Sequence, residues 1–134
     1  MTSEPTKHAE WRNAITAGLT SLPKKGTPGQ AVVFGMNAAV VTIGDSINDV
    51  LIAAGEAVNG RVVVITHTAY ADNFTSGKNS DPSIRVLQAN IKSWLVKGSS
   101  YSSSNIMEAS TYLRTTNSAT LSMVKILFFT EPVR

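Results

Sequence analysis

The chain reads as an α/β protein, with a mixed central sheet of about five strands flanked by two or three helices. Three observations predict this. Two segments carry apolar residues at helical spacing, four short Val- and Ile-rich runs lie between them, and another apolar run, Leu121–Phe129, comes near the end. With 134 residues the chain has one domain's worth of length, and a single domain over 1–134 is the expectation.

The first helix is expected over about Ala9–Leu22. Trp11, Ile15, Leu19 and Leu22 make one stripe, with Arg12, Asn13 and Thr16 off it. Pro5–Thr6 is its start signal and Pro23 its stop. Residues 1–8 ahead of it are polar and expected to be flexible, with His8 solvated. Lys24–Gln30 holds two Gly and one Pro and reads as a loop.

Four strands are then expected, at Ala31–Phe34, Ala38–Ile43, Val50–Ala54 and Arg61–Thr66, each bounded by Gly, Asn or Asp. Asn59-Gly60 is a tight-turn dipeptide, so the last three suit an antiparallel meander. Val62-Val63-Val64-Ile65 is apolar without alternation, which predicts a central strand buried on both faces. His67–Asp81 is a polar loop of a length usually reserved for function or mobility.

Pro82 fits the first turn of a second helix whose stripe is Ile84, Leu87, Ile91, Trp94 and Leu95, with Gly98 to end it. Ser99–Ser104, five Ser and one Tyr, reads as a flexible joint. Ile106, Ala109 and Leu113 suggest a third, shorter helix before the final strand.

Composition excludes several classes. At 43% hydrophobic and 16% charged residues the chain is too apolar for intrinsic disorder. It has no Cys, so disulfides, thiolate zinc sites and cysteine nucleophiles are ruled out. No apolar run approaches the roughly 20 residues of a membrane-spanning helix, and Met1–Glu10 is too polar for a signal peptide. The net charge of +3 is spread out, Lys24–Lys25 being the sole adjacent basic pair, so no clustered nucleic-acid footprint is present.

His67 is the sharpest candidate for chemistry. It follows the expected central strand at its carboxyl end, where open α/β sheets bind ligands, and Thr68 and Tyr70 share its loop. A structural role as a cap or loop anchor is the competing and favoured reading, because no second His, Cys or paired acid is near it in sequence. Asp45 or Asp72 is the acid a ligand or hydrolytic site there would recruit. Asp45, Asn48 and Asp49 could gather oxygen ligands around a cation, but their spacing does not match a calcium loop and suits a turn. Gly26-Thr27-Pro28-Gly29 precedes a strand and so lacks the context of a phosphate loop. Trp11 and Trp94 fall on helix stripes and are assigned to the core.

The stretch Ala31–Tyr70 resembles the opening domain of the transient-receptor-potential channel-associated factors, relatives of enhancin-like metallopeptidases. The matching positions are Gly35, Val50–Ala54, Gly60-Arg61, the strand Val62–Thr66, His67 and Tyr70. The flanking helices, Trp11–Leu22 and the one ending in Trp94-Leu95, match as well, so that the resemblance spans about Ala9–Leu95. It departs at Thr68, where the family carries an acid. The resemblance implies a class-I glutamine-amidotransferase-like domain lacking the catalytic Cys. It also implies a regulatory role in channel trafficking, in the cytoplasm at the periphery of the plasma membrane. The sheet expected for that fold is incomplete here, either in a truncated product or in a short stand-alone homologue.

The expected function is therefore a non-catalytic protein-interaction module without cofactor or metal. Its partner would be a protein, a membrane channel by resemblance, or a second copy joined through an open sheet edge. The alternatives are a small-ligand or hydrolytic site at His67, Thr68, Tyr70 and Asp45, and an accessory domain of a glycan-directed metallopeptidase.

Overall fold

A computed structural model describes residues 4–24, 33–43, 50–57, 60–96, 105–114 and 121–130. The elements are α1 (Thr6–Ile15), β1 (Ala38–Ile43), β2 (Val50–Ala57), β3 (Gly60–Ile65), a 3₁₀ turn (Thr68–Tyr70), α2 (Pro82–Val96), β4 (Met107–Arg114) and β5 (Leu121–Thr130). The strands form one sheet in the order β1-β2-β3-β5-β4, and every neighbouring pair is antiparallel. Among the described residues, five strands and two helices give the expected α/β class, with the sheet antiparallel throughout where a mixed one was expected and the expected meander intact at β1-β2-β3.

Three expectations about elements are corrected. Val33 and Phe34 are not in a strand, and Ala31 and Val32 lie outside the described residues. The segment expected as a third helix is β4, because its backbone pairs along its whole length with β5, from Met107↔Phe128 to Arg114↔Leu121. The first helix also stops early, at Ile15. Both the N–H and the hydroxyl of Thr16 donate to the Arg12 carbonyl, at 3.0 and 2.7 Å, and Gly18 turns the chain with φ +77°. Asn90 of α2 then donates to the carbonyls of Ile15 and Ala17 at 2.9 and 2.8 Å, closing the helix end from outside. Leu19 and Leu22 still pack against the core, from outside the helix.

α2 follows its sequence signals. Asp81 accepts from the N–H groups of Ser83 (2.8 Å) and Ile84 (3.2 Å), and Pro82 occupies the first turn, where no N–H is missed. Its stripe Ile84, Leu87, Ile91, Trp94 and Leu95 is buried.

α1 and α2 pack on one face of the sheet. That face is lined by Ala39, Val41, Ile52, Ala54, Val63, Ile65, Leu127 and Phe129, all buried. Trp11 and Trp94 meet edge-on at 5.7 Å between the helices. His8 is not solvated as expected: it is 5% exposed, stacks near Trp11, and its Nε2 lies 2.7 Å from the Met36 carbonyl.

Among the described residues, no helix packs on the opposite face. Register and alternation assign to it Ala38, Val40, Ala53, Gly55, Val62, Val64, Ile126, Phe128, Met107 and Ala109. The Val62–Ile65 run is central, as expected, but buried on one face only. Val63 and Ile65 are fully buried, and Val62 and Val64 are half-buried.

Candidate functional site

β3 ends where Thr66 ties its hydroxyl to the Val50 carbonyl at 2.8 Å and its N–H to Leu51 at 3.0 Å. His67 comes next, with extended backbone, and its Nδ1 accepts from the Ala69 N–H at 3.1 Å. It thus caps the 3₁₀ turn, which brings Tyr70 back beneath it; the two rings meet edge-on at 5.9 Å. Tyr70 is buried, and its hydroxyl donates to the Pro23 carbonyl at 2.5 Å. The Thr68 carbonyl accepts from Ala71 and Asp72, continuing the turn. The structure therefore brings His67, Thr68 and Tyr70 together. Asp45 lies outside the described residues, as do Asn48 and Asp49.

The loop that follows is held by two side-chain amides. Asn79 donates to the carbonyls of Ala69 (3.1 Å) and Asp72 (3.0 Å). Gln88, buried on α2, donates to those of Tyr70 and Asp72, both at 3.0 Å. Arg85 adds a bond to the Asn79 carbonyl at 2.7 Å. Two left-handed residues, Asn73 (φ 58°) and Gly77 (φ 70°), let the chain reverse inside the loop. Its length thus serves a built structure, and the buried Phe74 under the Lys92 ammonium (5.1 Å) anchors its tip.

Asp72 lies on a polar hollow of about 350 Å³, with Asn73, Thr75, Ser76, Glu108 and Lys125. Thr75 donates to Glu108 at 3.0 Å, and Lys125 stands 4.0 Å from the same carboxylate. His67 does not line this hollow. Among the described residues, no group of three or more His, Asp or Glu side chains is placed to hold a metal ion.

The feature that sequence reading missed is the helix-free face. The side chains assigned to it above are apolar, and Met107 on it is 45% exposed. A second hollow, of about 310 Å³, opens on this face among Ala38, Ala53, Gly55, Val62 and Val64, with Val33 and Phe34 at its rim. The available signal was the unbroken Val62–Ile65 run, which says that both faces are apolar but not what covers each.

No protein-family model, curated protein or solved structure matches the chain. Among the described residues, the fold is an α/β sheet protein with helices packed on one face of the sheet and none on the other. No helix among the described residues is long and apolar enough to cross a membrane.

Proposed function

We propose that this chain is a non-catalytic protein-interaction module whose contact surface is the helix-free face of its sheet. The observation that carries this reading is the apolar character of that face: Val40, Ala53, Val62, Val64, Ile126, Phe128 and Met107 stand on it, and no helix among the described residues lies above them. Contiguous apolar surface on a folded protein marks a place that meets another macromolecule. The loop geometry is in keeping with it, since His67 caps a turn and Tyr70 braces the Pro23 segment. The resemblance to channel-associated factors would make the partner a membrane channel and the setting the cytoplasmic side of the plasma membrane.

The test is a pair of lysine substitutions on adjacent residues of β3. Val64→Lys points a charge from the bare face, and the protein should keep a cooperative melt within a few degrees of the parent. Val63→Lys buries the charge under the helices and should unfold the protein. Equal collapse of both variants would mean that the face is internal core, and the reading would fail.

A further inference from the structure

The hollow on the bare face has a definite shape. Ala38 pairs with Gly55, Gly55 with Val62, and Ala53 with Val64, so three small residues sink the sheet surface beside two valines. At about 310 Å³ it is the size of a small ligand pocket and ample for one aromatic ring. Among the described residues, its lining includes one ionisable residue, Glu56. That carboxylate is already paired with Lys7 at 2.9 Å, so covering the hollow orphans no charge.

Phe34 stands at the rim and is 82% exposed, and nearby Met36 is 69% exposed. A protruding ring beside an apolar hollow on one face is self-complementary. Under a twofold rotation each ring meets the other copy's hollow, and the contact closes after two subunits. We propose that the chain forms a twofold dimer, sheet face against sheet face, with Phe34 of each copy seated in the hollow of the other. This rests on the interaction-module reading and names the partner of that face as a second copy.

The available area suits this occupant. Five strands at about 4.8 Å spacing, paired over six residues at about 3.3 Å each, give roughly 480 Å² per face. Two faces with two phenylalanines, each adding about 150 Å², bury roughly 1,300 Å², within the range of stable, specific interfaces. The β1 edge is a poorer site for a second copy. There the Arg12 side chain of α1 donates to the Val40 carbonyl at 3.1 Å, which blunts the edge for strand addition.

Sedimentation velocity from about 1 to 100 µM, with melting scans, tests the proposal on the parent, Phe34→Ala and Val64→Lys. The expected result is a parent dimer, with dissociation at least about a hundredfold easier in Phe34→Ala, because two rings leave the interface at once. Val64→Lys should be a folded monomer throughout. A monomeric parent with a well-folded Val64→Lys overturns the second copy as partner and leaves the module reading standing. A dimer untouched by either substitution places association elsewhere, such as the β4 edge, and overturns the proposal. Unfolding of Val64→Lys overturns both this proposal and the module reading.

Discussion

Arg61 of β3 and Trp94 of α2 make a two-part contact that fastens the second helix to the sheet. The guanidinium carbon lies 4.6 Å from the indole centroid, and Nη1 donates to the Trp94 carbonyl at 2.6 Å. That carbonyl is among the last four of α2, which have no partner within the helix. Arg61 therefore caps the helix end and places a cation where the helix dipole favours one. Arg61→Ala should cost about 2 kcal/mol, and Arg61→Lys, which keeps the charge but not the planar fork, about 1 kcal/mol. Urea denaturation of the three proteins checks this; a lysine variant as stable as the parent would reduce the contact to simple charge.

Gly60, next to Arg61, has no room for a side chain. A Cβ there would run into the Phe129 carbonyl oxygen and into Thr130, both on the paired strand β5. Backbone cannot swing away as a flexible side chain could, so Gly60→Ala should destabilise by about 2 kcal/mol or more through distortion of the β3-β5 ladder. Thermal melts read this directly. Gly35→Ala is the comparison, because a Cβ there meets nothing within 4 Å and its cost comes from the φ of +88° alone.

Gln88→Leu keeps the volume of a buried side chain but removes the donor to the Tyr70 and Asp72 carbonyls. A loss of about 1–3 kcal/mol is expected. The loss should be local. Amide exchange should quicken at Ala71, Asp72 and Phe74, which hydrogen-bond within the loop, and stay unchanged in β1 and β2.

His67 separates a capping role from a ligand role. Its Nδ1 accepts a backbone N–H, a task that Asn also performs and Ala does not. His67→Ala should lose about 1 kcal/mol and His67→Asn should recover most of it. If the Asn variant is as unstable as the Ala variant, the imidazole does more than cap.

Glu4 gives a pH signature. The Arg12 guanidinium hydrogen-bonds its carboxylate at 2.6 Å and, with the charges of Arg12 and His8 behind it, holds its pKa below the usual 4.5 against an opposing desolvation. A folded pKa below the unfolded one favours folding above pH 4.5, and this contribution disappears as pH falls through the folded pKa. Carboxyl NMR titration should place the Glu4 pKa below 4.5, and Arg12→Gln should raise it.

The sequence alone settled the pieces whose causes are local. β1 at Ala38–Ile43 and α2 with its Pro82 start and buried stripe are as the periodicity predicts, because alternation and helical spacing act within one segment. The burial of Trp11 and Trp94 was legible for the same reason, while the central place of β3 was read from its unbroken apolar run. Of the candidate site, the proximity of His67, Thr68 and Tyr70 was legible from their adjacency. The amides that hold their loop were not, since Asn79 and Gln88 reach it only after α2 has docked.

Tertiary structure decided the rest. Ile106, Ala109 and Leu113 have helical spacing, yet the ladder offered by β5 makes their segment a strand. His8 is polar and lies near the chain start, yet α1 turns it inward to the Met36 carbonyl. Whether an apolar sheet face is covered depends on where distant helices land, and here both land on the same side. A run such as Val62–Ile65 records only that both faces are apolar, because each residue's transfer preference is for leaving water and is blind to the partner that takes its place.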